Sequence, residues 1–154
     1  DPAATYTATI VTSKGAITVT LYADEAPAAV NNFVLLASLG YYDGTPVNDV
    51  SPNQVAIIGA PENAPSSHAG YLFQGEVGSS RAWNVGALAF LPGQDPLTGE
   101  IGSNSSQILI TLAQLPPEAN AELSFFGEVV EGMDVLTSLA SGDTIEEVRI
   151  TAAP

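Results

Sequence analysis

A chain of 154 residues, 45% of them hydrophobic, is long enough for one domain to bury its own core, and the lack of cysteine excludes disulfides, thiolate metal sites and a thiol nucleophile. Seventeen acids against three bases (Lys14, Arg81 and Arg149) give a formal charge of -14, which argues against nucleic acid and anionic membrane surfaces as partners. No apolar run approaches the ~20 residues of a membrane-spanning helix.

The chain opens with an arm, residues 1–8, ahead of a single domain over 9–154. The segments "TYTATIVTS" and "GAITVTLYA" alternate β-favouring with small or polar residues on either side of Ser13-Lys14-Gly15, which predicts a hairpin. Asp24 and Glu25 before Ala26-Pro27 supply acids and a proline at a helix start. Val30, Phe33, Val34 and Ala37 then follow at helical spacing until Gly40. From Tyr41 onward, short apolar runs are broken by Gly, Pro, Asn and Ser: "NQVAIIG", "GYLFQG", "GALAFLPG", "QILITL", "LSFFGEVV" and "IEEVRI". Only "EGMDVLTSLASG" departs from that pattern, with Met133, Leu136, Leu139 and Ala140 on one helical face and Gly142 at the exit. About eight strands and two helices in this order predict a closed antiparallel barrel, because closure removes exposed edges and the helices can cap the ends. Residues 60–70 and 92–106 are expected to be surface loops.

The order and spacing of these segments resemble the cyclophilin family of peptidyl-prolyl isomerases over nearly the whole chain. The likeness rests on Lys14-Gly15, Leu21, Ala26-Pro27, Asn32-Phe33-Val34, Ala37 and Tyr42-Asp43-Gly44, then on "SSQILIT" (105–111) and "FFGEVVEGMDVL" (125–136). It implies a mainly β, eight-stranded closed barrel with two capping helices. Gly15, Gly44, Gly127 and Gly132 are expected at turns, and Phe33, Phe125, Phe126 and Met133 in the core.

The resemblance also implies a groove on the barrel face, in which the family's arginine donates to the prolyl amide and aromatic walls hold the proline ring. The barrier to rotation is ~18–20 kcal/mol, so stabilising the twisted amide is the task. The corresponding run here is Val47-Asn48-Asp49-Val50, with a carboxylate in the arginine's place, opposite in charge and without donors. The family's Phe-Met-x-Gln corresponds to Gln54-Val55-Ala56-Ile57, and its Gln-Phe-Phe to Gln107-Ile108-Leu109. Before Phe126-Gly127, Glu118 and Leu123 fall where the family often carries tryptophan and histidine. Val47, Asn48, Asp49, Gln54, Val55, Ile57, Gln107 and Leu109 are therefore the positions of a degenerate groove, with no catalytic residue among them. Neither Arg81, in a loop, nor Arg149, in the last strand, is expected to replace the missing donor.

Other chemistry has thin support. His68 is the only histidine and lies in a polar loop, which gives neither a triad nor a histidine metal site. Asp95, Thr98, Glu100 and Asn104 are oxygen donors within one loop, yet Leu97 and Gly99 interrupt the alternation of an EF-hand, so no metal and no cofactor is expected. Trp83 and Tyr41-Tyr42 are the aromatic groups able to anchor an interface, although core packing also suits them. The arm could add a strand to a neighbour, and Pro116-Pro117 would form a stiff exposed loop. Asp1, Pro2, Ala3 and Ala4 resemble the start of a chain whose signal peptide has been removed, and a fragment would look the same. The expectation is an exported, non-catalytic module that binds a protein or peptide, self-associates or serves in an extracellular assembly. The alternative is a weak prolyl isomerase.

Overall fold

In the computed structural model, residues 3–64 and 67–153 are described, so residues 1 and 2 of the arm lie outside the described part. The predicted hairpin forms from β1 (Thr5–Thr12) and β2 (Gly15–Leu21), paired in register from Tyr6↔Leu21 to Thr12↔Gly15. Residues 5–8, assigned to the arm from sequence, are the first half of β1 and pair on their other side with the last strand. They are not free to extend a neighbour's sheet.

Helix α1 (Pro27–Ser38) follows, then β3 (Thr45–Ser51), β4 (Val55–Ile58), the two-residue β5 (Leu72–Phe73), β6 (Ala87–Gln94) and β7 (Ile101–Thr111). A 3₁₀ turn (Pro117–Ala121), β8 (Ser124–Glu131), α2 (Met133–Ser138) and β9 (Thr144–Ala153) complete the chain. The sheet runs β4-β3-β9-β1-β2-β8-β6-β7, and pairing of β4 with β7 closes it into an antiparallel barrel of eight strands. Strand β5 adds only to the far half of β7, where Leu72 faces Asn104. Residues 92–94 and 101–106, expected in a loop, belong to β6 and β7, and the hairpin between these strands turns through residues 95–100.

Alternation decides what fills the barrel. Ile10, Ile17, Val19, Val47, Ile58, Leu88, Phe90, Ile108, Ile110 and Phe126 point inward and are at most 1% exposed. Phe90 stacks on Phe126 at 4.7 Å, and Phe126 meets Phe33 of α1 at 5.4 Å. Removing one such ring, Phe33 for example, would cost about 3–5 kcal/mol. A smaller cluster of Trp83, Ala87, Ala89 and Phe125, with Tyr22, Leu115 and Leu123 against it, packs apart from that core. Phe125, expected in the core, is therefore buried in the satellite cluster, and so is Trp83; Tyr42 is buried in the main core. Neither Trp83 nor Tyr42 can anchor an interface in this conformation.

Two local expectations are corrected. Gly127 is not a turn glycine: it lies inside β8 opposite Leu21 and Leu88, and a Cβ there would stand 2.8 Å from the Thr20 carbonyl oxygen. The start of α1 does not rest on Asp24 and Glu25. Its cap residue Ala26 makes no side-chain hydrogen bond, and the first turn holds no acid. Glu76, from a distant loop, instead accepts the Ala28 and Ala29 N–H groups at 2.7 and 3.2 Å. The carboxylate therefore satisfies two of the helix's free donors and faces the positive end of its dipole.

Candidate functional site

Strand β3 carries a bulge, because Val47 faces Ile58 while Asp49 faces Ile57, leaving Asn48 as the extra residue. Without it, Val47 and Asp49 would share a face; with it, Val47 enters the core while Asn48 and Asp49 both turn to the outside. A second irregularity in β6, between Phe90 and Pro92, surrounds Leu91 in the same way. These two features flank β4 and β7, and between them lies a hollow of about 310 Å³.

The hollow is lined by Asn48, Asp49, Ile57, Ala60, Asn63, Ala64, Leu91 and Gln107. Its polar wall is a clamp. Asn48 donates from Nδ2 to the Ala60 carbonyl at 2.7 Å and to Asn63 Oδ1 at 3.1 Å, while its Oδ1 accepts the Ala60 N–H at 3.0 Å. Below Ala60, Gly59 approaches β7 so closely that a Cβ would lie 1.9 Å from the Ser106 carbonyl oxygen, and its φ of +95° suits glycine. Gln107, 7% exposed, donates from Nε2 to the Ser67 carbonyl at 3.0 Å, and its N–H is held by Asn104 Oδ1.

Across the strands runs one row of facing residues, Asp49↔Ile57↔Leu109↔Ala89↔Phe125. Three positions read from sequence, Asp49, Ile57 and Leu109, thus stand side by side, with Gln107 and Asn48 at the edge of the row. The other three do not join them. Val47 is sealed in the core, Gln54 is exposed in the β3–β4 turn, and Val55, half-buried, lies one pleat beyond Ile57. Ala60, Asn63, Ala64 and Leu91 were not singled out from sequence. Of these, the signals present were the proline after Leu91 and an asparagine able to take the positive φ of 54° found at Asn63.

Among the described residues, no lysine, arginine or histidine lines the hollow. Arg81 Nε lies 2.9 Å from Glu25 Oε1, and its guanidinium covers the Tyr22 ring at 3.7 Å. Tyr22 in turn packs edge-on against Phe125, at the opposite end of the row from Asp49. Four strand spacings separate those ends, roughly 19 Å along the barrel surface at about 4.8 Å each. Arg149 pairs with Glu147 at 2.6 Å, and Lys14 lies 3.4 Å from Asp143. The Asp49 carboxylate is exposed and takes no hydrogen bond or ion pair from any described residue.

The remaining candidates are occupied elsewhere. Leu123 packs on the Trp83 cluster, and Glu118 is exposed in the 3₁₀ turn. Half-buried rather than fully exposed, His68 accepts the Gly70 N–H on Nδ1 at 2.9 Å and faces Ser105 Oγ at 3.4 Å. Asp95 Oδ1 accepts the Leu97 and Thr98 N–H groups, which hold its carboxyl below the usual range, and Asn104 Oδ1 is spent on Ser106 and Gln107. Those oxygen donors close a hairpin, and among the described residues no three His, Asp or Glu side chains converge as a metal site. No described helix is long and apolar enough to cross a membrane.

The barrel agrees with what comparison with known proteins finds. The sequence profile described as "Cyclophilin type peptidyl-prolyl cis-trans isomerase/CLD" matches residues 7–153, and the chain belongs to this family. It is 31% identical to peptidyl-prolyl cis-trans isomerase B of Bacillus subtilis over 132 residues, covering 84% of this chain and 87% of that protein. Against a Helicobacter pylori peptidyl-prolyl cis-trans isomerase the identity is 33%, covering 95% and 87%. A crystal structure of a Cryptosporidium parvum cyclophilin type isomerase in the presence of the dipeptide Ala-Pro superposes with a TM-score of 0.80 at 23% identity, covering 96% of this chain and 99% of that one.

Proposed function

We propose that this cyclophilin-family domain holds a peptide segment of a partner protein in the hollow beside Asp49 without isomerising it, and serves as a binding or assembly module. The observation that carries this reading is the absence of any base among the described residues that line the hollow. Isomerisation needs a donor aimed at the prolyl amide as it loses conjugation, and an ionised Asp49 donates nothing. Arg81, the base held nearest the far end of the row, would have to leave both Glu25 and the Tyr22 ring to take that place. Peptide holding is supported by the framework shared with relatives named as isomerases.

A prolyl-isomerisation assay over several Xaa-Pro peptides tests it. No acceleration above the uncatalysed rate is expected, and acceleration comparable to that by the Bacillus subtilis relative overturns the reading. A second reading, a weak isomerase, is favoured by Gln107, whose amide lines the hollow. In that case Gln107→Ala abolishes a small but measurable activity, and indifference to the substitution discards it. Export rests on composition, with one lysine, Lys14, in the chain. Fractionation of the native cell tests it, with recovery in the cytosol as the contrary result.

A further inference from the structure

The hollow is charged at one end and apolar at the other, and this polarity selects a ligand. Resting on the peptide-binding reading above, we propose that the hollow takes an extended segment of a different protein carrying a lysine or arginine two residues from an aliphatic side chain.

Asp49 is the acid in the lining, and it is exposed and uncommitted, whereas Asn48 beside it is spent on Ala60 and Asn63. Ile57 follows directly across the strand pair, and Leu109 stands beyond it in the same row. Leu91 adds a further apolar wall. Neighbouring strands lie about 4.8 Å apart, so the Ile57–Leu109 surface begins one to two spacings from Asp49. Residues i and i+2 of an extended peptide emerge on one face about 6.6–6.8 Å apart, which matches that interval. A cation at i then reaches Asp49 while an aliphatic group at i+2 covers Ile57. An acidic peptide would be repelled by Asp49 and by the chain's net charge of -14, which draws cationic partners towards it.

A second copy of this chain is a poor source of that cation. Lys14 is 3.4 Å from Asp143, Arg81 is 2.9 Å from Glu25, and Arg149 is 2.6 Å from Glu147. Each would have to surrender its own carboxylate to bind the hollow of another copy.

Titration of the ¹⁵N-labelled protein with three alanine-based peptides tests this. One holds arginine and isoleucine at i and i+2, the second holds glutamate in place of the arginine, and the third holds an Ala-Pro pair. The arginine peptide is expected to shift the Asp49, Ile57 and Gln107 amide resonances and to bind less tightly as salt is raised. Asp49→Asn should weaken it about 1.5-fold to fivefold. Asp49→Lys should reverse the preference, so that the glutamate peptide binds better. Because Asp49 is exposed and unbonded, both variants are expected to fold, and an unchanged fingerprint away from the hollow checks this.

If the Ala-Pro peptide shifts those resonances while the arginine peptide does not, the charge selectivity is wrong and peptide binding stands. If no peptide shifts them, peptide binding itself fails. Concentration-dependent self-association that Asp49→Lys removes would identify a second copy as the occupant and overturn the inference.

Discussion

Replacing Glu76 by alanine is expected to loosen a helix that has no cap of its own. The N–H groups of Ala28 and Ala29 are met by the two carboxylate oxygens at 2.7 and 3.2 Å, while the cap position carries alanine. Losing a side-chain cap costs about 1 kcal/mol. The charge at the dipole's positive end adds about 0.3–1 kcal/mol. A total of about 1.3–2 kcal/mol corresponds, at about 2–4 °C per kcal/mol for a domain of this size, to a Tm lower by about 3–8 °C. Glu76→Gln keeps one acceptor but no charge, so it should fall between wild type and alanine. Urea unfolding followed by the fluorescence of Trp83, the one tryptophan and 2% exposed when folded, gives both values. The slope with urea should not change, since the exposed area on unfolding is the same. A loss for Glu76→Ala below about 0.5 kcal/mol would refute the claim that this distant acid holds α1.

Asn48→Leu leaves the 3% exposed Ala60 without the side-chain partner of its N–H, a loss of about 1–3 kcal/mol. Hydrogen exchange at the Ala60 amide should accelerate, and an unchanged rate contradicts the clamp. Burial, followed by its hydrogen bond to Glu128, pushes the Tyr22 phenol from 10.0 up to about 12. Because the folded state disfavours the phenolate, this contribution to stability is complete below pH 10 and is lost as pH rises through about 12. Alkaline titration by phenolate absorbance should therefore show a late tyrosine whose midpoint falls in Glu128→Gln, and a midpoint indifferent to that change discards the assignment.

Local pattern was enough for the frame. Period-two alternation in residues 5–21, helical spacing from Val30 to Ala37, and the order of short strands depend on neighbours within a few positions, and all led to a closed barrel with two helices. The acid at position 49 was equally visible, because residue identity needs no coordinates. Alternation is no guide where the ladder breaks: it would give Val47 and Asp49 one face, and only pairing with β4 shows that the bulge at Asn48 separates them. The same holds for the Glu76 cap, which reaches back 48 residues to Ala28, and for the hollow's far wall at Ala60 and Leu91. Sequence by itself thus determined the barrel and the charge of the residue at its groove, since both follow from local periodicity and side-chain chemistry. Tertiary structure alone decided which side chains share the hollow and that every base is engaged elsewhere, because both depend on strand register and on contacts between distant segments.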